Sequence, residues 1–263
     1  MNFNNWFSKL GLLLLTAMVI AGFSSTAGAA GTIKIGALND MTGATSDVGK
    51  DYALGIAEAI HYINDTGGIN GKQIKLYQFD YGYRIPEALT KYNLFKRLKC
   101  AAILGWGTGD TEALAPTVAK DKIPYVSASY SGHLCDPEKT PYNLFFATDY
   151  STQARGLITA WFDKKWPQKP DYGKRKPRIA MCYMFASPFS SSAIKAAKDQ
   201  AAILGFEVGP DQDVSLFAID TKSQILALKE FKPDVLLHTN TVMSVASTLR
   251  DSYALGLGAD NLI

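Results

Sequence analysis

The sequence predicts an α/β fold built on parallel sheets. Short apolar runs typical of buried strands alternate with longer segments in which apolar residues recur at helical spacing. Turns rich in glycine and proline separate the two kinds of segment. A chain of strands alternating with helices is typical of βαβ units, whose strands lie parallel to one another.

The elements of the first half follow in that order. Residues 32–38 are predicted to form a strand, and 49–64 a helix that ends at Gly67-Gly68. Asn70-Gly71 turns the chain into a strand at 72–79. We predict further helices at 86–97 and 111–120, and strands at 100–105, 123–127 and 143–147.

The second half repeats the alternation. We predict helices at 151–166, 189–204, 221–231 and 241–255, and strands at 178–183, 206–208 (the weakest) and 234–238. Segment 164–178 holds seven basic residues and one acid, and we interpret it as a solvated surface loop rather than a binding site. Residues 260–263 resemble the start of another strand, so we expect the chain to be incomplete at its C-terminus.

Composition and the N-terminal residues indicate where the protein works. Lys+Arg 27 against Asp+Glu 24 is too even a balance to favour a nucleic-acid surface. Lys9, the apolar run Leu10–Phe23 and the pattern Ala27-x-Ala29 are typical of a secretory signal peptide over residues 1–30. The alternative is a membrane anchor, which needs about 20 apolar residues. We therefore expect a periplasmic protein.

Three cysteines remain after that segment. Cys100 and Cys182 lie in apolar runs and are interpreted as small buried side chains. A bridge between Cys100 and Cys135 stays open, and at least one thiol has no partner within the chain. No Cys/His spacing typical of zinc sites occurs, and we expect neither a metal nor a cofactor.

The most distinctive loop is G-W-G-T-G at 105–109, between a predicted strand and a helix. Its spacing differs from the dinucleotide fingerprint G-x-G-x-x-G, and no G-K-[ST] follows, so a nucleotide is not expected. Helix N-termini nevertheless attract small anions, since their first N–H groups lack partners. Thr108 adds a hydroxyl at this point.

A second hydroxyl-rich loop, S-A-S-Y-S at 127–131, follows the next strand. Carboxyl ends of parallel strands open on one edge of a sheet, so Thr108, Ser129 and Ser131 are predicted to converge on a carboxylate. The alternative is that these hydroxyls only cap helices. Asp110 is interpreted as the N-cap of its helix, with a role as a cation partner as the alternative.

Several segments resemble the periplasmic substrate-binding proteins of branched-chain amino-acid (Leu/Ile/Val-type) ABC transporters. The resembling segments are I-G-A-L-N-D-M-T-G, A-I-H-Y-I-N-D-T-G-G-I-N-G-K, I-L-G-W-G-T-G-D-T-E-A-L-A-P and I-P-Y-V-S-A-S. The resemblance covers residues 32–263. It implies the type I periplasmic binding fold: two Rossmann-like lobes, here 32–147 and 148–263, joined by a hinge whose first crossing lies near 147–149.

The resemblance also implies a binding site between the lobes. Thr108 would hold the ligand carboxylate, and Ser129 and Ser131 would add polar contacts. Phe189 would present a ring from the second lobe, beside Thr241 or Val242. The acidic residue that holds the ligand ammonium in this family would come after position 263.

Departures from the family pattern point to a ligand larger or flatter than leucine. Val48 stands where the family commonly has an aromatic residue, while Trp106, Tyr81, Tyr83 and Tyr130 add rings. Each ring taken separately favours packing over ligand contact, and only together do they favour the larger or flatter ligand. The predicted ligand-binding residues are Trp106, Gly107, Thr108, Gly109, Ser129, Tyr130, Ser131, Phe189 and Thr241.

Three functions compete at this stage. The first is a solute-binding protein that delivers an amino acid or related small carboxylate to a membrane permease. The second is a periplasmic sensor that uses the same clamp to signal to a receptor. An enzyme is the third and is not expected: the histidines are scattered and no G-x-S-x-G motif occurs, which leaves His133 beside Cys135.

Overall fold

The computed structural model describes residues 31–258 and 260–263, so the expected signal peptide lies outside the described residues. The strands are β1 (Ile33–Asn39), β2 (Ile74–Asp80), β3 (Ala102–Leu104), β4 (Tyr125–Val126), β5 (Asn143–Leu144), β6 (Arg178–Tyr183), β7 (Glu207–Val208), β8 (Gln212–Asp213) and β9 (Val235–His238). The α-helices are α1 (Ser46–Asp65), α2 (Ile85–Leu98), α3 (Thr108–Asp121), α4 (Tyr150–Lys164), α5 (Pro188–Ser191), α6 (Ile194–Ile203), α7 (Lys222–Phe231) and α8 (Val242–Ala254).

The first sheet has the order β2-β1-β3-β4-β5, with every pair parallel. Successive residues of β1 face opposite sides of the sheet, and both sides are buried. Ala37 packs with Ile56 and Ile60 of α1 on one side. Leu38 packs with Phe95 of α2 and with α3 on the other. This sheet is therefore doubly wound.

The second sheet is built around β6, which pairs in parallel with β7, β8 and β9. Ile179 and Met181 pack against α4 and α6 on one face, and Ala180 and Cys182 against α7 on the other. The chain leaves the first sheet after Leu144 and enters the second core through α4. Two parallel sheets with helices on both faces confirm the α/β prediction.

The last residues pair with this second sheet, as their sequence predicts. The Leu236 N–H donates to the Asn261 carbonyl at 2.7 Å, and the Ile263 N–H donates to the Leu236 carbonyl at 2.9 Å. Leu236 and Leu262 form a parallel bridge beside β9.

Two predictions about elements were wrong in detail, and one strand was not predicted at all. The helix expected at 189–204 is two helices, because side chains near the break bond backward: Ser192 Oγ donates to the Phe189 carbonyl at 2.9 Å. Strand β8 had no prediction. Segment 164–178 is not simply a solvated loop, since Trp166 is buried and Arg175 binds both Asp171 and Asp234.

The structure also shows the burial and the pairing of the three cysteines. Cys100 and Cys182 are buried, as predicted, whereas Cys135 is exposed. All three are free thiols across 31–258 and 260–263, so the Cys100–Cys135 bridge does not form in this structure. Over the same residues, no helix combines the length and the apolar character that a bilayer span requires.

Candidate functional site

The glycine pattern of the loop 105–109 follows from packing. A Cβ on Gly105 would lie 2.1 Å from the ring of Tyr125. A Cβ on Gly107 would lie 2.3 Å from Asp110 Oδ1 and 2.6 Å from Tyr83 Cε2, so a side chain cannot fit there. Gly107 is the N-cap of α3 and has an extended backbone, and the helix begins at the next residue, Thr108.

The two hydroxyl-rich loops meet at the carboxyl edge of the first sheet. Thr108 and Ser129 are both 1% exposed, and their hydroxyl oxygens lie 2.6 Å apart. The Ser129 N–H donates to Ser127 Oγ at 2.9 Å, which holds the second loop in place. Thr108 Oγ1 makes no capping bond to α3, so this hydroxyl is not a helix cap. Its role as a ligand contact stays a prediction.

A cavity of about 510 Å³ lies between the two sheets, beside the N-termini of α3 and α8. Its wall is largely aromatic. The rings that line it are Tyr52, Tyr83, Trp106, Tyr130, Phe146, Tyr150 and Phe189. Several pack on one another: Tyr52 and Trp106 have ring centroids 5.0 Å apart, and Tyr150 lies 5.6 Å from both Tyr130 and Phe189. These mutual contacts hold the rings in fixed orientations.

A few polar groups interrupt that aromatic wall. Trp106 Nε1 donates to Thr45 Oγ1 at 2.7 Å. Thr241 is 8% exposed and its hydroxyl has no hydrogen-bond partner, so a solute that bonds to it would relieve an unpaired buried group. Among the described residues no Lys, Arg or His lines the cavity, and Asp51 is its charged side chain. Positive potential there comes from the main-chain N–H groups of helix N-termini.

The structure brings six of the nine predicted site residues to this cavity. These are Trp106, Gly107, Thr108, Tyr130, Phe189 and Thr241, joined by Val48 and Val242. Ser129 lies one layer behind, against Thr108.

Ser131 and Gly109 do not line this cavity. Ser131 Oγ lies 3.1 Å from His133 Nδ1, at a separate polar cavity of about 710 Å³. The Cα of Gly109 faces Ile85 and Pro188. Gly109 is the second residue of α3, so it points about 100° away from Thr108 around the helix axis. Ser131 belongs instead to the loop after β4, directly before the short 3-10 helix Gly132–Cys135.

Some residues that line the cavity were not predicted from the sequence. Thr45 and Tyr52 belong to α1 and the turn before it, and Phe146 and Tyr150 flank the crossing between the sheets. The spacing of Thr45, Val48 and Tyr52 places them on one side of α1, which is a signal that could have found them. Phe146 is 66% exposed, and no periodic pattern marks it.

Asp110 was wrongly predicted as the N-cap. It lies inside the first turn of α3, is 2% exposed, and accepts a hydrogen bond of 2.7 Å from the Tyr81 hydroxyl through Oδ1. Burial raises the pKa of Asp110 to about 7, against the opposing effect of that hydrogen bond. Burial likewise raises the pKa of Tyr81, which is 1% exposed and lies behind the cavity wall rather than in it.

His133 and Cys135 do not pair. His133 Nε2 lies 2.9 Å from Glu112 Oε1, while Cys135 Sγ donates to the Gly132 carbonyl at 3.1 Å. Within 31–258 and 260–263, no three His, Cys, Asp or Glu side chains are grouped so that they could hold a metal ion.

Comparisons with known proteins agree with this architecture. The chain is 25% identical over 233 residues to Leu/Ile/Val-binding protein homolog 7 of Brucella suis biovar 1 (strain 1330), which covers 86% of this chain and 57% of the relative. Most of this chain therefore aligns with the relative, but the chain spans only a little over half of the relative's length.

Solved structures extend the comparison. An ABC transporter substrate-binding protein of Aeropyrum pernix is 36% identical with TM-score 0.75, covering 87% of this chain and 58% of that one. A branched-chain amino acid ABC transporter structure from Thermus thermophilus with bound valine shares the fold at 22% identity and TM-score 0.78, covering 86% and 56%. A Rhodopseudomonas palustris solute-binding protein in complex with 3,4-dihydroxybenzoic acid shares it at 18% and 0.72, covering 88% and 60%.

The family whose description is periplasmic binding protein matches residues 32–263, nearly all of the described chain. Parallel doubly wound sheets facing each other across an aromatic cavity are in keeping with that match. The chain belongs to the periplasmic binding protein family.

Proposed function

We propose that this protein is the extracytoplasmic solute-binding component of an ABC transporter. It clamps an amino acid or a related small carboxylate, aromatic acids included, between lobes at 32–147 and 148–263, and delivers it to a membrane permease. The observation that carries the proposal is the cavity between the two sheets, where Thr108 and the N-terminus of α3 face a wall of aromatic rings. Clamping by hinge motion requires no covalent chemistry.

The chemistry of the wall supports this class of solute. A carboxylate placed at Thr108 would meet a hydroxyl donor and the positive end of α3. The rings of Tyr52, Trp106, Tyr150 and Phe189 offer flat apolar surfaces to the rest of the molecule. Valine and 3,4-dihydroxybenzoate, the solutes held by the two structures of similar fold, are both small carboxylates.

The proposal is tested at Thr108. Replacing it with Ala removes the hydroxyl donor, and a hydrogen bond to a charged group contributes about 1.5–3 kcal/mol. We expect Thr108→Ala to weaken binding roughly tenfold or more, at about 1.4 kcal/mol per decade. Thr108→Ser keeps the hydroxyl and serves as the matched control. Affinity is measured by calorimetry on the full-length protein, with the best solute from a thermal-shift screen of L-amino acids and benzoates.

Two results would count against the proposal in different ways. A protein that binds no member of the screen is not a clamp for this class of solute. A Thr108→Ala variant that binds as tightly as the unaltered protein would show that the carboxylate is held elsewhere.

A further inference from the structure

A helix of the second lobe begins with no side-chain cap of its own. Helix α8 has Thr241 at its N-cap position, but the Thr241 hydroxyl makes no bond to the helix. The bond comes from the first lobe instead: the Met243 N–H donates to Asp47 Oδ2 at 2.9 Å, across 196 residues of sequence. Asp47 lies in the first turn of α1, whose next turn contributes Asp51 and Tyr52 to the cavity wall.

This contact has the chemistry of a helix cap supplied by another lobe. Aspartate is among the residues that best satisfy the first N–H groups of a helix, and its charge is favourable at the positive end of α8. In the described part of the chain, the other hydrogen bonds between the two lobes lie at the crossing. There the Tyr150 N–H donates to the Tyr130 carbonyl at 2.8 Å and the Tyr150 hydroxyl to the Ala128 carbonyl at 3.4 Å.

We propose that Asp47 is a latch that holds the lobes closed over the solute. Asp47 does not line the cavity, so it acts on affinity by stabilising the closed conformation rather than by touching the solute. A 2.9 Å bond between α1 and α8 exists only while the two helices are adjacent. Opening of the cleft breaks it and returns the α8 N–H to water. The inference rests on the proposed function, since a latch matters only in a protein that closes.

The two partners can be removed separately. Asp47→Ala deletes the acceptor, whereas Met243→Pro deletes the N–H donor without changing the charge. Proline is tolerated in the first turn of a helix, and Pro86 already occupies the second position of α2, the position that Met243 has in α8. Glu58→Ala removes one carboxylate from an exposed part of α1 and is the matched control.

We expect Asp47→Ala and Met243→Pro each to weaken solute binding about threefold to tenfold, the range for loss of a helix cap. The loss should appear mainly as faster dissociation, measured by surface plasmon resonance with the best amino acid or benzoate from the screen. Because both changes remove one bond, the double variant should bind about as well as either single variant. Asp47→Asn, whose amide oxygen still accepts, should recover part of the affinity.

The melting temperature without solute separates a latch from an ordinary structural contact. If Asp47 is a latch, Asp47→Ala should melt at nearly the same temperature as the unaltered protein when no solute is present. Its melting temperature should then rise less than that of the unaltered protein when solute is added. A variant that melts earlier without solute in proportion to its lost affinity would overturn the proposal, as would Asp47→Ala binding like Glu58→Ala. If the unaltered protein binds no acid of the panel, the proposed function fails and the latch with it.

Discussion

Thr108 and Asp110 lie two residues apart in the first turn of α3 and face opposite ways. Successive helical residues are about 100° apart around the axis, so positions two apart differ by about 200°. Thr108 faces the cavity and Ser129. Asp110 faces the core, where Tyr81 holds one of its oxygens and the other has no partner. The first turn of α3 thus places the Thr108 side chain at the cavity and, on its opposite side, the Asp110 carboxylate in the core.

That buried acid predicts a pH-dependent stability. Burial raises the pKa of Asp110 to about 7, above the ordinary value near 3.9. Between about pH 4 and pH 7 the folded protein therefore binds more protons than the unfolded chain, and stability falls as the pH rises through that window. The contribution of one such group is at most about 1.4 kcal/mol per pH unit.

Asp110→Asn removes this contribution while its amide oxygen can still accept from Tyr81. Urea unfolding at pH 5 and pH 8 should show the variant gaining at least about 1 kcal/mol relative to the unaltered protein at the higher pH. Asp65→Asn, an exposed change on α1, should show no such gain. Equal differences at both pH values would mean that Asp110 titrates normally.

Helix α4 is the element that carries the chain from the first sheet into the second core. Its N-cap is Asp149, which accepts from the Thr152 N–H at 3.0 Å and from Thr152 Oγ1 at 2.7 Å. The first residue of the helix, Tyr150, also lines the cavity. The start of α4 therefore fixes a ring of the cavity wall as well as the path of the chain between the two sheets.

Loss of that cap should destabilise the protein. We expect Asp149→Ala to lower the free energy of unfolding by about 1 kcal/mol. Asp149→Asn should lose much less stability, because asparagine caps helices about as well as aspartate. Chemical denaturation measures the change. Asp163→Ala, an exposed carboxylate in the last turn of the same helix, is the control and should lower stability less. Equal losses at positions 149 and 163 would refute a capping role.

At the scale of the whole molecule, three of the four tryptophans report separately on the cavity and on the second core, while Trp6 lies outside the described residues. Trp106 lines the cavity between the sheets. Trp161 and Trp166 are 5% and 3% exposed and pack among the buried residues of the second core. A solute clamped between the lobes should therefore change the surroundings of Trp106 and leave the other two nearly unaffected.

Fluorescence titration tests this expectation. Addition of the solute should shift the emission of the unaltered protein and of Trp161→Phe, and Trp106→Phe should lose most of the shift. Calorimetry on Trp106→Phe establishes that the solute still binds, since Thr45 loses a hydrogen-bond partner in that variant. A full shift in Trp106→Phe would place the solute away from the cavity.

Local patterns were sufficient to predict most elements. The apolar run at 178–183 coincides with β6, and the strands and helices of the first half lie within a few residues of their predicted bounds. Predicted helix boundaries were wrong where polar side chains compete with backbone N–H groups for carbonyl acceptors, as Ser192 does at the end of α5. A strand went unpredicted where pairing alone makes it: β8 is two polar residues held beside Cys182 and Tyr183.

The sequence by itself determined the α/β class, the order of the elements and the meeting of the Thr108 and Ser129 loops, because these follow from periodicity and from the shared edge of parallel strands. Only the tertiary structure decided which side chains face the cavity, turning Ser131, Gly109 and Asp110 away and adding Tyr52 and Tyr150. Facing depends on how helices pack against their sheets. Contacts such as Asp47 with Met243 join residues that no local pattern relates.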